Sequence, residues 1–333
     1  MKTTSMKKLV AVSLLALTVT AIQAKSWRIH QDAAMAPDFT SINAAMSSAD
    51  VVANDTLYLD PGSSIQGEQT ISKQVTIVGC GYFRNTAPHN MASIVGLLKV
   101  QASNVKIEGT IFNGEVYLYA NNITLERCYA KSNIRVGANS YSGYYHANNC
   151  TIRQCYTNSI QGIDKSYNAY TTIENCIIVA SWSDFQYLYF PTIKNCYIKQ
   201  TSSSGWLLDN VDHPFIENCI GINTASSSRT WSSSVTNVES DKNNIWSNLS
   251  ADNTEANIFS LTGSNDERYQ LKEGSPAIGA GNDGTDIGPS GGLYPYVLGG
   301  LPAGRPYFEK ATVSKCSEND KVNVSLKIKM QNE

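Results

Sequence analysis

The sequence predicts an all-β solenoid of stacked coils, closed by an N-terminal cap helix and a C-terminal β-hairpin. Three observations predict it. Five segments carry nearly the same text: ITLERCYA (123–130), CTIRQCYT (150–157), TTIENCII (171–178), PTIKNCYI (191–198) and PFIENCIG (214–221). Their cysteines, Cys128, Cys155, Cys176, Cys196 and Cys219, are 27, 21, 20 and 23 residues apart, a period expected of supersecondary units laid one upon the next. The chain is also only 16% charged and rich in Ser, Asn, Thr and Tyr, a composition that favours strands and turns over helices.

Residues 1–24 read as a signal peptide: Lys2, Lys7 and Lys8 precede an apolar run from Leu9 to Ile22, and Ala24 suits cleavage. The run is short for a membrane span, so an exported protein is expected, periplasmic, cell-surface or extracellular, with mature sequence from about Lys25. Residues 25–300 form the solenoid domain. In its opening stretch Phe39, Ile42, Ala45 and Met46 make a helical apolar stripe, followed by a strand at Thr56–Leu59 and a turn at Asp60-Pro61-Gly62.

Within a coil, Ile173 and Cys176 cannot face the same side of one uninterrupted strand, because side chains alternate and the two are three positions apart. A bend between them is required. Asn175, Asn195 and Asn218 occupy it, and Asn tolerates the left-handed conformation of a sharp corner; stacked, these amides could bond to one another along the axis. Arg127, Gln154, Gly109 and Gly79 take the equivalent place in less regular coils. The intervening runs EVYLYA (115–120), NIRVGA (133–138), QGIDK (161–165), FQYLYF (185–190) and GWLLDN (205–210) form a second parallel sheet.

The recurring cysteines are expected as stacked interior thiols acting as small hydrophobes. Cys80, Cys150 and Cys316 fall outside that column and are the disulfide candidates of an exported chain. Residues 301–333 change character: VNVSLKIKM alternates, with Val322, Val324, Leu326, Ile328 and Met330 on one face, which predicts a hairpin packed on the solenoid.

The [VIT]-x-I-x-N-x-x-I coil text and the stretch 38–65 resemble the right-handed parallel β-helix proteins of the pectate-lyase-like superfamily, whose cap helix shields the open end of the solenoid. YQLKEGSPAIGAGNDGTDIG (269–288) is similar to the closing segment of many secreted bacterial β-helix proteins, with Ser275-Pro276-Ala277-Ile278 leading into Gly-rich turns. The resemblance implies the fold over about 38–290. It implies little about chemistry, because such folds host lyases, hydrolases, adhesins and inert scaffolds alike.

A formal net charge of −2 with no polybasic patch argues against nucleic acid and anionic membranes as partners. Of 18 tyrosines, 12 fall between 115 and 210. With Val116 and Leu118 inward, Tyr117 and Tyr119 face out, and Arg135, Tyr187, Tyr189 and Trp206 extend that surface, flanked by Tyr144, Tyr145 and His146 from a long loop. Two readings stand. Exposed aromatics with Asn, Gln and Ser nearby suit the apolar faces and hydroxyls of a polysaccharide or oligosaccharide; alternatively the tyrosines simply stack on one another between coils.

For catalysis, Glu115, Asp164, Asp184, Asp209 and Asp212 lie on or beside the second sheet, and nothing in the sequence fixes a pair. The Asn-Thr-Asp, Asp-Asp, Gly-His-Gly and Arg-Ile-Lys motifs of polygalacturonases are absent. WLLDNVDH (206–213) loosely resembles the Trp-Ile-Asp-His element of pectate lyases but has Asn210 where His is expected, and the Arg-x-Pro-x-x-Arg segment is missing. Lys165, Asp209 and His213 are the candidate catalytic residues, and Asp164 and Asp212 candidate calcium ligands, with ordinary solvated loop charge as the competing reading. Three function classes follow: a monomeric polysaccharide-binding protein, a polysaccharide lyase or glycoside hydrolase, and a structural or adhesive surface protein.

Overall fold

The computed structural model describes residues 24–83, 91–140, 143–202, 204–224, 231–263, 265–302, 304, 306–315 and 322–330. The expected signal peptide, apart from Ala24, lies outside the described residues, as does Cys316. No described helix is long and apolar enough to cross a membrane.

The chain is a right-handed parallel β-helix. Three all-parallel sheets run along its axis, of ten, nine and seven strands among the described residues. One coil shows the plan. Phe185–Gln186 belongs to the seven-stranded sheet, Thr192–Lys194 to the ten-stranded sheet and Tyr197–Gln200 to the nine-stranded sheet, before Leu208–Asp209 begins the next turn above Phe185–Gln186. The expected bend at Asn is therefore a full corner that separates two sheets, giving three faces where the repeat text indicated two.

Two corners are built from left-handed residues. The first column is Gly109, Arg127, Gln154, Asn175, Asn195, Asn218 and Asn243, with φ between 48° and 61°. Gly79 departs from expectation: it is in register with Gly109, but the positive φ falls at Gly81 instead. Glycine is needed at 79 for space, because a Cβ there would lie 2.2 Å from the Gly109 carbonyl oxygen. The second column is Asn104, Asn122, Asn149, Tyr170, Phe190, His213 and Asn237. Here three aromatic residues take a conformation that costs an L-residue roughly 1–2 kcal/mol, and face-to-face packing of Phe190 on His213 (centroids 4.1 Å, 9°) and on Tyr170 (5.4 Å, 25°) offsets part of it.

The interior is a column of aliphatic side chains with the thiols stacked among them. Cys128, Cys155, Cys176, Cys196 and Cys219 are fully buried and free. Burial pushes the thiols of Cys128, Cys176 and Cys196 well up, so they are inert apolar fillers. Cys150 is also buried and free, which corrects its reading as a disulfide candidate, and Cys80 is buried with its thiol donating to the Leu59 carbonyl (3.3 Å). Cys80 in fact lies in the thiol column, linked to Cys128 through Thr110, as the Val78–Glu108 and Glu108–Glu126 registers require. The Cys176 thiol faces the carbonyls of Ile152 (3.4 Å) and Glu174 (3.3 Å). A serine hydroxyl would inherit these acceptors, so Cys176→Ser is expected to cost only about 1 kcal/mol; a loss above about 3 kcal/mol on urea unfolding would contradict the geometry.

At the N-terminal end, helix Ile42–Ser47 is capped by Ser41, whose side chain accepts from the Ala44 amide, and it buries Ile42, Ala45 and Met46 over the first coil. A strand not foreseen, Ser26–Ile29, pairs parallel with Thr56–Leu59 and starts the ten-stranded sheet. At the other end the Gly-rich stretch folds back as a strap along the first corner. The Asn175 amide donates to the carbonyls of Pro289 and Gly291 (2.9 and 2.6 Å), the Gln154 amide to Pro295 (2.6 Å), and the Tyr82 amide to Gly299 (2.7 Å). Asn218 meets Asn282. The corner amides are thus spent mainly on the strap, although Asn243 does donate to Asn218 (2.8 Å) along the axis. Beyond it, Pro306–Lys315 and Val322–Met330 form the expected antiparallel hairpin, with Leu326 and Ile328 52% and 57% exposed.

Candidate functional site on the seven-stranded sheet

Strand alternation decides which residues face solvent on this sheet. Val116, Leu118, Ile134, Val136, Ile160, Phe185 and Leu208 are fully buried, so their neighbours point outward. Register pairing then aligns Lys99, Tyr117, Arg135, Gln161, Gln186 and Asp209 in one row, a coil apart each. Tyr117 and Arg135 belong to this row as expected. Tyr187 and Trp206 do not: Gln186 and Asp209 hold those places, because Phe185 and Leu208 are the inward residues of their strands.

The row is a hydrogen-bonded network. Glu115 accepts from the Tyr117 hydroxyl (2.8 Å) and from Arg135 Nε and Nη2 (3.1 and 2.9 Å); Arg135 Nη1 reaches Gln161 Oε1 (3.0 Å), and Gln186 donates to Asp209 (3.1 Å). Burial alone would raise the Glu115 carboxyl, but the hydrogen bonds from Tyr117 and Arg135 and the Arg135 charge hold it below its ordinary range. It is a carboxylate committed to Arg135. Lys99 is likewise paired with Glu68 at 2.8 Å.

Above Arg135, Gln161 and Gln186 opens a cavity of about 400 Å³, walled by Asn133, Asn158, Ser159 and the loop Ala180–Ser183. Trp182 stands in this wall, 60% exposed and with no aromatic partner among the described residues. The loop carrying it is fixed from below: the Gln200 amide donates to the Trp182 carbonyl, and Ser183 Oγ accepts from the Trp206 amide. The sequence reading missed Trp182 because its loop lies outside the repeats. Its flanking serines, Ser181 and Ser183, are the one local sign of a tryptophan directed at solvent.

The tyrosines on the other flank stack largely on one another. Tyr119 lies between Tyr117 (5.3 Å, 11°) and Tyr145 (4.2 Å, 8°), leaving neither of its faces for a ligand. Burial, helped by Tyr117 and Tyr145, pushes its hydroxyl up to about 12, so it serves as a neutral hydrogen-bonding group. Tyr144 stacks on Tyr167 (5.3 Å, 11°), and His146 tilts against the same ring. Tyr187, 37% exposed, presents a ring without such a partner among the described residues; Tyr189 packs edge-on to Phe190 and His213.

The candidate catalytic and metal residues are divided. Asp209 lies on the floor row with Gln186, whereas His213 is at the adjoining corner, its Nδ1 2.7 Å from Glu239 and its Nε2 3.9 Å from Asp212. Lys165 starts a short 3-10 turn whose N-cap is Asp164, and Asp164 spends its carboxylate on the Ser166 amide (2.8 Å). Asp212 is engaged by Thr236 (2.6 Å) and Asn237 (2.9 Å), and the Thr236 bond leads in holding its pKa down. Among the described residues no group of three His, Cys, Asp or Glu side chains is placed to hold a metal.

Asp184 lies behind the tryptophan loop. Its carboxyl is fully buried and makes no well-formed hydrogen bond among the described residues, the Ala180 amide being near it outside good geometry. Burial holds its pKa well above the usual carboxylate range, the Ala180 amide offsetting only part of this. Its folded pKa exceeds the unfolded value of about 3.9, so the folded chain binds the extra proton. Stability from this site is complete below about pH 4 and is lost as pH rises toward the folded pKa. Urea titrations from pH 4 to 8 should show a decline that Asp184→Asn flattens; equal slopes in the two proteins would refute the assignment.

The chain matches no protein-family model, and no curated protein matches it significantly.

Proposed function

We propose that this is an exported, monomeric β-helix protein of the pectate-lyase-like kind that binds a polysaccharide along its seven-stranded sheet. One observation carries the reading: Trp182 presents an exposed ring at the wall of a polar trough floored by Arg135, Gln161 and Gln186. A sugar ring needs this combination, an apolar face to lie on an aromatic and fixed polar groups to meet its hydroxyls. Tyr187 supplies a further exposed ring on the far side of the same strands. The coil text and the closing segment support the superfamily and the leader supports export.

Binding without cleavage fits the placement of the floor carboxylates. Glu115 flanks the Tyr117 strand and Asp209 lies four strands away, which at about 4.8 Å per strand is roughly 19 Å. Glycosidic hydrolysis uses carboxyl pairs about 5–10 Å apart. A lyase reading draws instead on His213, an imidazole oriented by Glu239 with Asp212 beside it. Calorimetry with a panel of oligosaccharides, run beside assays for unsaturated and reducing ends, tests the proposal. Binding that Trp182→Ala weakens, with no product, is the expected result. Product formation abolished by His213→Ala would replace it with the enzymatic reading, and absence of both would leave a surface scaffold.

A further inference from the structure

The charges around the trough define what kind of glycan it accepts. The outward row and its side-chain partners carry two cations, Lys99 and Arg135, and three carboxylates, Glu68, Glu115 and Asp209. Both cations are already paired: Lys99 with Glu68 at 2.8 Å, Arg135 with Glu115 at 2.9 Å. Apart from Arg135, the described lining of the cavity consists of Asn, Ser, Gln, Ala and Trp side chains and is uncharged.

Among the described residues Arg135 is the only cation in that lining, and its guanidinium is turned away from the role of anion receptor. Nε and Nη2 both point to Glu115 Oε1, and Nη1 to Gln161. A guanidinium has five N–H groups, so two are left, enough to donate to hydroxyls but not to offer an unoccupied fork to a carboxylate. Glu115 is itself pinned by Tyr117 and Asn133, which keeps the lock in place when the trough is empty. A uronate or sulfated sugar entering here would have to displace Glu115 or lie beside it, and Asp209 would repel it further along the row.

We infer that the trough selects uncharged polysaccharides and rejects uronates and sulfated sugars, and that Glu115, by occupying Arg135, is the residue that sets this selectivity. The inference rests on the binding reading above and specifies its substrate class. Polar contacts to hydroxyls by Arg135, Gln161 and Gln186 fix the chain, and Trp182 covers one ring. Affinity then comes from stacking and neutral hydrogen bonds, so it is nearly independent of salt.

The test uses matched pairs of oligosaccharides that differ only in the carboxyl: polygalacturonate and its fully methyl-esterified form, glucan and glucuronan, mannan and mannuronan, each titrated by calorimetry at 20 and 200 mM NaCl. The neutral member of the bound pair is expected to bind about 30-fold or more tighter than its acidic twin, with less than about a twofold change between the two salts. Glu115→Gln, which keeps the shape, can still accept from Arg135 through its one carbonyl oxygen and can donate its amide to the Tyr117 hydroxyl, should narrow the preference by about tenfold or more. An acidic chain bound more tightly than its neutral twin by the wild-type protein would overturn the selectivity while leaving the binding trough intact. A preserved preference in Glu115→Gln, in a variant whose thermal unfolding matches wild type, would overturn the role of Glu115. Failure of every chain to bind would remove the binding reading itself and this inference with it.

Discussion

Replacing Trp182 with alanine is expected to raise the dissociation constant for the bound glycan by about 30-fold or more, since a tryptophan at the centre of a contact commonly contributes 2 kcal/mol or more. The unfolding free energy should stay within about 0.5 kcal/mol of wild type, because the ring is 60% exposed and no described ring packs on it. Tyr119→Ala should behave in the opposite way. Tyr119 lies between Tyr117 and Tyr145, so its loss costs stability and affects binding only through the displaced neighbours. Calorimetry and urea unfolding on the two variants separate the cases. Equal binding losses from both would mean that the tyrosine flank, and not the tryptophan wall, meets the ligand.

Asn175→Ala is expected to destabilise the fold by roughly 3 kcal/mol. The side chain is buried, at φ 52°, and donates to two strap carbonyls. Losing two hydrogen bonds that leave buried acceptors costs about 1 kcal/mol or more each, and an alanine held in the left-handed region adds about 1 kcal/mol. Asn175→Gly isolates the contributions: it lacks the hydrogen bonds but has no left-handed penalty, so it should be about 1 kcal/mol less damaging than alanine. Urea midpoints with hydrogen exchange of Gly291 and Gly292 report both the stability and the release of the strap. A variant within 0.5 kcal/mol of wild type would show that the strap is held elsewhere.

The fold was legible because its central constraint is periodic. Whatever fills the interior must recur once per coil, so Cys128 through Cys219 and the Asn corners could be read as columns from spacing alone. Cys80 escaped because Thr110 interrupts its column, and Gly79 was read as a conformational glycine although its role is to make room for a carbonyl. The third sheet escaped because a one-residue bend within a sheet and a corner between two sheets look alike in the text. The surface was less legible. Tyr117, Arg135 and Asp209 could be placed on the outer row or near it from alternation, but whether tyrosine rings face solvent or each other depends on side-chain torsions that no periodicity encodes. Trp182 sits in the connection between the nine-stranded and seven-stranded sheets, whose length and text change from coil to coil, so pattern offers no guidance.

The strap changes how the molecule comes apart. A solenoid in which every rung touches only its neighbours frays from either end, one rung at a time, and a partly melted array is a populated species. Here residues 282–300 join rungs from Asn218 back to Tyr82, so detaching the terminal rungs also strips the seal from the middle ones. Melting should therefore be a single concerted event. Severing the backbone ahead of residue 282 should broaden it into a gradual, end-first transition.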